Sequence, residues 1–106
     1  MLFPAPDFVV EILSKNTAAR DRGVKKDDYA AHGIPEYWII DPFKQRIEQY
    51  ILLSKKDTKY TPAKLYRLDE EIESHAIKGF VIPVQAIFDE AVNIETLQEL
   101  IANTKA

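Results

Sequence analysis

The chain has 106 residues, of which 46% are apolar and 29% charged, and its formal net charge is −3. This length allows one small domain, and the composition excludes a disordered or fibrous protein. No stretch approaches the roughly 20 apolar residues that a membrane span needs, which excludes an integral membrane protein of the helical kind. The absence of cysteine excludes disulfides and thiolate chemistry and suits a reducing cytoplasm. We predict a single cytoplasmic domain over residues 1–106.

The first part of the chain predicts a strand, a turn and a helix. Residues 7–13 (DFVVEIL) are rich in β-branched side chains, and apolar residues on both faces indicate a strand covered on both sides. The next four residues predict a turn, with candidate helix caps at Asn16 and Thr17. From about residue 18 to residue 32 the pattern is helical, and Gly23 weakens this helix by up to about 1 kcal/mol relative to alanine.

The rest of the chain predicts a mixed sheet and a final helix. Further strands are predicted at residues 36–41 (EYWIID), 45–53 and 63–68, and in the EIESHAIKG stretch. The segment VIPVQAIFDE predicts a short helical turn, and residues 94–104 predict an amphipathic helix. Because only the first connection is a crossover, the sheet should contain parallel and antiparallel pairs, which is an α/β or α+β fold.

Two carboxylates lie within the first predicted strand. Side chains alternate along a strand, so Asp7 and Glu11 should share one face. An ionised group at the middle of such a strand is costly unless it is paired or binds a metal. Glu11 is therefore a metal ligand, a glutamate on a partly open sheet face, or a glutamate neutralised by a nearby lysine. Four strand residues separate the two acids by roughly 13 Å. Without a bulge, Asp7 and Glu11 therefore cannot share one Mg²⁺, whose oxygen ligands lie at about 2.1 Å.

A polar stripe along the predicted helix offers a partner for Glu11. Spacings of four and three residues align Ala18, Arg22, Lys25, Tyr29 and His32. If the helix packs beside the first strand, Lys25 can reach Glu11. The alternative is that Lys25 is solvated or pairs with Asp21 or Asp28 on its own helix.

Four other polar residues are weaker site candidates. His32 and His75 have no metal-ligand spacing and fit surface or capping positions. Glu36 and Asp41 flank the second strand and fit a core position and a capping position.

Three blocks of the sequence together resemble a known family. They are PDFVVEILS at residues 6–14, TAARDRGVKKDDY at residues 17–29 and GIPEYWIIDP at residues 33–42. In order and spacing they are similar to blocks of the Uma-type family of restriction endonuclease-like proteins, once a domain of unknown function. The resemblance extends over nearly the whole chain. It implies the PD-(D/E)xK nuclease-like fold, a mixed sheet with flanking helices.

The resemblance also implies a Mg²⁺- or Mn²⁺-dependent site that hydrolyses DNA. In that superfamily an aspartate on one strand and a Glu-x-Lys on its neighbour serve the metal and the attacking water. Glu11 matches the glutamate, Leu13 stands at the lysine position, and Lys25 is the basic residue that matches from the helix. We therefore take Glu11 and Lys25 as candidate catalytic residues, and Glu11 and, in a bulged strand, Asp7 as candidate metal ligands.

Members of this family usually have a longer chain, whose N-terminal half supplies the metal-binding aspartate on another strand. The present sequence resembles only the C-terminal half, which implies a fold without its N-terminal part. Three functions follow from this: a minimal nuclease, an inactive remnant that dimerises or binds another protein, and a half-site completed by a second copy or a separate chain. A bare sheet edge would favour assembly.

Overall fold

A computed structural model of the protein describes residues 7–89. Its elements in chain order are β1 (Phe8–Ile12), α1 (Ala18–Arg22), α2 (Val24–Ala31), β2 (Glu36–Asp41), β3 (Arg46–Ile51), β4 (Lys64–Arg67), β5 (Glu71–Glu73) and β6 (Val81–Pro83). Residues 84–89 are helical, and the helix predicted at residues 94–104 lies outside the described residues. No helix within residues 7–89 is long and apolar enough to cross a membrane.

Strands β1 to β4 form one mixed sheet in the order β1-β2-β3-β4. β1 pairs in parallel with β2 after the helical crossover, whereas the β2–β3 and β3–β4 pairs are antiparallel. The predicted mixed sheet with one crossover is therefore confirmed. Strands β5 and β6 form a separate antiparallel pair. Among residues 7–89, β1 is paired on one side only, so it is an edge strand.

Side-chain alternation gives the larger sheet two apolar faces. One face packs against β5, β6 and residues 84–89 through Trp38, Ile40, Ile47, Tyr66, Ile72, Val84 and Phe88. The other face lies on the helix side and is built around Leu13, Tyr37, Ile39 and Tyr50. Phe8 and Ile12 join the first cluster and Val9 joins the second, as strand alternation requires. Glu11, in register with Val9, therefore lies on the helix side.

The prediction of one helix over residues 18–32 is wrong, because the chain breaks at Gly23. The backbone there has φ −111° and ψ −100°, which is not helical. A Cβ at Gly23 would lie 2.8 Å from the carbonyl oxygen of Ala19, so the close approach of backbone to backbone requires glycine. The break lets Arg22 and Lys25, which the spacing aligned in one stripe, reach different parts of the sheet.

The prediction of a helical turn over the VIPVQAIFDE segment is correct only for its second part. Residues 84–89 are helical, but Val81–Pro83 form β6. Ile82 of β6 is the cross-strand partner of Ile72 in β5, and Ile72 is fully buried in the core. Burial against this partner favours the extended state for a β-branched pair.

Candidate active site

Glu11 and Lys25 meet at the edge of the sheet. Lys25 Nζ lies 3.6 Å from Glu11 Oε2, and the Glu11 side chain is 26% exposed. The two converge because alternation turns Glu11 to the helix side of β1, where α2 returns over the sheet. The structure thus brings together the two predicted catalytic residues, and their catalytic role stays a prediction.

Asp21 is a second acid at the same lysine. It is 1% exposed, and Lys25 Nζ lies 3.1 Å from its Oδ1, in an ion pair rather than a well-directed hydrogen bond. Its Oδ2 accepts a hydrogen bond of 3.1 Å from the Thr17 hydroxyl, which therefore binds Asp21 and does not cap α1. The contact with Asp21 raises the pKa of Lys25, burial opposes the rise, and the charge of Glu11 adds to it. The ammonium is therefore held in its charged form.

Tyr29 orients the carboxylate of Glu11. Its hydroxyl donates a hydrogen bond of 2.7 Å to Glu11 Oε1. Its ring packs edge-on against Tyr37, with 5.1 Å between the ring centroids. Burial and then the hydrogen bond to Glu11 raise the pKa of Tyr29 to about 12, so the phenol stays a donor at neutral pH. Glu11 thus has one oxygen held by a hydroxyl and one facing an ammonium.

A buried ion network fixes α1 to the sheet. Arg22 Nη2 lies 2.7 Å from Asp41 Oδ2 and 2.6 Å from Glu48 Oε2, and both carboxylates are buried. Burial alone would raise the pKa of Glu48, but the hydrogen bonds from Arg22 and Tyr50 and the charges of Arg22 and Arg46 together outweigh it, and the pKa is lowered. Because Arg22 directly follows Asp21, this network also positions Asp21 beside Lys25. No spacing rule links Arg22 to acids that follow it by 19 and 26 residues, so sequence reasoning missed the network.

An open groove of about 390 Å³ lies over this region, lined by Val10, Glu11, Ile12, Ser14, Thr17, Asp21 and Lys25. Carboxylate oxygens are the ligands that Mg²⁺ prefers, and Glu11 and Asp21 each supply a carboxylate to the groove. Within residues 7–89, however, no group of three or more His, Cys, Asp or Glu residues could hold a metal ion. These residues therefore fit part of a metal site and not a whole one.

The remaining acids of the sequence analysis lie elsewhere. Asp7 is exposed just before β1, and the register of β1 with β2 runs without a bulge, so nothing brings Asp7 closer to Glu11. Its role as a metal ligand stays a prediction. Asp41 Oδ1 accepts hydrogen bonds of 3.0 Å from the amides of Phe43 and Lys44, as expected of a capping acid. Glu36 is fully buried in the core.

The sequence matches a known protein family over most of its length. Residues 2–85 match the model of the Uma2 family, whose description is "Putative restriction endonuclease". The chain belongs to the Uma2 family. None of the curated proteins matches it significantly. The family resemblance of the three sequence blocks is thereby confirmed.

The fold of this Uma2 chain is also similar to a solved structure from Anabaena variabilis ATCC 29413, described as "a putative nuclease belonging to DUF820". The TM-score is 0.63 at 19% sequence identity, and the match covers 82% of this chain and 46% of the Anabaena chain. At this identity the similarity shows the fold, and it confirms the predicted nuclease-like mixed sheet. The Uma2 chain thus spans about half the length of the Anabaena protein.

Proposed function

We propose that this chain contributes Glu11 and Lys25 to a metal-dependent DNA endonuclease site. The observation that carries the proposal is the 3.6 Å contact between Lys25 Nζ and Glu11 Oε2 at an open sheet edge. A carboxylate that can hold a metal and an ammonium that can stabilise negative charge on a phosphate converge there, from separate elements, on one groove. Membership of the Uma2 family and the nuclease-like fold support the same reaction class.

The residues of the groove have separable roles in this proposal. A divalent cation such as Mg²⁺ or Mn²⁺, when bound, supplies positive charge and a lowered pKa for water. Glu11 is the residue that would hold it, and Tyr29 keeps the Glu11 carboxylate in place. Lys25, kept charged by Asp21, stabilises the negative charge that grows on the phosphate as the oxygen of water bonds to phosphorus and the bond to the leaving oxygen breaks.

The proposal includes a further acid that pairs with this half-site from outside residues 7–89. β1 is an edge strand there, and Val10 in its middle is 42% exposed. Unpaired strand edges readily accept another strand. A strand from a longer form of the chain, a second copy or a separate chain could carry an acid to Glu11. On this reading residues 1–106 form one domain that lacks part of its sheet.

A second candidate function is non-enzymatic. The described part of the chain contains no cluster of three potential metal ligands, and its β1 edge is open to pairing. These two observations favour a nuclease-fold module that dimerises or binds another protein by adding a strand to β1.

Nicking of supercoiled plasmid DNA by the purified chain separates the two candidates. With Mg²⁺ or Mn²⁺, and with a second copy of the chain supplying the further acid, we expect nicking that EDTA abolishes and that Glu11→Ala or Lys25→Met reduces by about 100-fold or more, the loss typical of one electrostatic catalytic group. Glu71→Ala, which removes an exposed acid on β5, is the matched control and should keep full activity.

Two results would overturn the nuclease proposal for the chain acting alone. One is the absence of both nicking and any metal-dependent rise in melting temperature, which would leave the interaction module. The other is nicking that is equal in the wild type and in Glu11→Ala, which would identify a contaminating nuclease.

A further inference from the structure

A second group of cationic side chains lies at the far end of the sheet. Arg46 and Arg67 are direct cross-strand partners in the β3–β4 pair, and Lys44 lies in the turn before β3. Like charges directly opposite each other destabilise an antiparallel pair. The three cations line an open pocket of about 490 Å³ together with Gln45, Leu68 and Asp69. A nearby negative charge would offset the repulsion between Arg46 and Arg67.

The nearest buried carboxylates, Asp41 and Glu48, offset little of the Arg46–Arg67 repulsion. Asp41 is the cross-strand neighbour of Arg46, but its Oδ2 binds Arg22 and its Oδ1 accepts backbone amides of the turn. Glu48 lies 2.6 Å from Arg22, whereas Arg46 approaches it only to 3.9 Å. Both acids therefore bind Arg22 more closely than they bind Arg46.

Arg46 also has a donor without an acceptor. Its Nε is buried and has no hydrogen-bond partner among residues 7–89. An unmade hydrogen bond of a buried donor is destabilising, so part of the hydrogen-bonding capacity of Arg46 is unused in the fold.

Lys44 and Arg67, the other two cations of the pocket, form no ion pair with the exposed acids beside it among the described residues. In the described part of the chain, every ion pair involves Arg22, Lys25 or Arg46, so neither Lys44 nor Arg67 takes part in one. Asp69 lines the pocket without such a contact, and Glu70 accepts a hydrogen bond of 3.0 Å from the backbone amide of Arg67. The pocket therefore holds more cationic donors than its acids use.

We propose that Lys44, Arg46 and Arg67 bind a phosphate group. Guanidinium groups donate in a planar fork that matches phosphate oxygens, and a lysine adds a point charge. A bound phosphate would relieve the Arg46–Arg67 repulsion and accept hydrogen bonds from the two guanidinium groups, since the Arg46 side chain is 29% exposed. Two arginines from paired strands and a lysine from the adjacent turn thus form an anion site separate from the Glu11 groove.

The position of this pocket indicates which phosphate it binds. Cross-strand register places Glu11, Ile39 and Glu48 in one row on the same face, and Arg46 lies two residues further along β3. Two strand spacings and one two-residue step separate Arg46 from Glu11 by about 12 Å between backbones. DNA advances about 3.4 Å per nucleotide of each strand, so a strand at Glu11 reaches the pocket within about four nucleotides. The ligand is then a DNA backbone phosphate beside the cleaved bond, and this part rests on the proposed nuclease function.

Binding measured without cleavage tests the site. Fluorescence anisotropy with a labelled short DNA duplex in EDTA, over a series of salt concentrations, gives the affinity and its salt dependence. For Arg67→Gln and Lys44→Gln we expect a several-fold weaker affinity, and a salt slope smaller by about 0.9 for each lost phosphate contact. Lys55→Gln removes one charge from the exposed loop at the opposite end of β3 and should change neither quantity.

Titration with inorganic phosphate, followed by the amide NMR shifts of residues 44–46 and 67, distinguishes the two sources of phosphate. Shifts in the wild type that disappear in Arg67→Gln support the site. If they occur while the DNA affinity is equal in Arg67→Gln and the wild type, DNA is not the ligand and the site takes free phosphate. If neither phosphate nor DNA responds to these variants, the site is overturned.

The nuclease proposal fails separately from this one. A chain that binds DNA through Arg67 but never nicks it would keep the phosphate site and lose the catalytic one.

Discussion

Glu11 and Glu36 lie on neighbouring strands of one sheet, but their surroundings are opposite. Glu36 is 0% exposed, and its oxygens accept hydrogen bonds from Trp38, Gln49, Ser74, His75 and Ala76. Glu11 is 26% exposed and faces one hydroxyl and one ammonium in an open groove. A buried carboxylate with its oxygens fully used holds structure together, whereas a partly exposed one beside a cation can still take a ligand.

The Glu36 cluster connects the two sheets. Trp38 and Gln49 donate to it from the larger sheet, while Ser74, His75 and Ala76 donate from the connection between β5 and β6. Burial would raise the pKa of Glu36, but the bonds from Ala76, Ser74 and Gln49 outweigh burial and lower it. The folded protein therefore favours the ionised acid.

The largest expected effect is that of Glu36→Gln. An amide nitrogen cannot accept, so buried donors lose their acceptor, and we expect the free energy of unfolding to fall by about 3–4 kcal/mol. Urea denaturation measures this, with Glu71→Gln at an exposed position of β5 as the control. If the free energy of unfolding falls by less than about 1 kcal/mol, Glu36 is not the stabilising carboxylate that distinguishes it from Glu11.

The same variant should change the dependence of stability on pH. Because the pKa of Glu36 is lower in the folded state than its ordinary 4.5, its contribution is present above about pH 4.5 and is lost as the pH falls through the folded value. The wild type should therefore lose stability more steeply below pH 4.5 than Glu36→Gln does. Parallel profiles for the two proteins would contradict the assignment.

The contrast between the two glutamates was only partly predictable from the sequence. Apolar alternation and the glycine and proline stops predict β1 to β4 and the parallel crossover, because these features act over a few neighbouring residues. The partners of Glu36 lie up to 40 residues away, and no local pattern records them. The break at Gly23 depends on the close approach of its backbone to the carbonyl oxygen of Ala19. A glycine in a helical pattern does not predict such a contact, because helices also tolerate glycine at a modest cost.

An intermediate effect is expected at Arg22, whose side chain is 33% exposed and whose carboxylate partners Asp41 and Glu48 are buried. Arg22→Met leaves Asp41 and Glu48 buried without their cation, and we expect a loss of about 2–3 kcal/mol, less than for a fully buried pair. Arg22→Lys keeps the charge but loses the planar fork, and it should lose less. Urea denaturation of both variants, beside Arg20→Met at an exposed position of α1, tests this ranking. Equal stability of Arg22→Met and Arg20→Met would show that the network does not hold α1.

The sequence predicts the Glu11–Lys25 pair of the candidate site but not the residues that position the pair. Helical spacing placed Lys25 where it could reach Glu11, and the structure brings them to 3.6 Å. The spacing also aligned Tyr29, which binds Glu11, but nothing in the spacing shows which stripe residue turns inward. The helical spacing predicts Asp21 only as a competing partner for Lys25, whereas the structure shows that Lys25 contacts both Asp21 and Glu11 at once.

The smallest effect on stability is expected for Glu11→Gln, and it distinguishes the two glutamates most sharply. The amide oxygen can still accept from Tyr29, and the lost ion pair with Lys25 is partly exposed, so the unfolding free energy should fall by less than about 1 kcal/mol. Metal-dependent nicking should nevertheless fall by about 100-fold, since one ligand charge is gone. The two variants should therefore differ: Glu11→Gln should be a stable protein with little cleavage, whereas Glu36→Gln should be a protein of low stability. If Glu11→Gln loses as much stability as Glu36→Gln, then Glu11 mainly stabilises the fold, and the groove at the β1 edge is not the proposed active site.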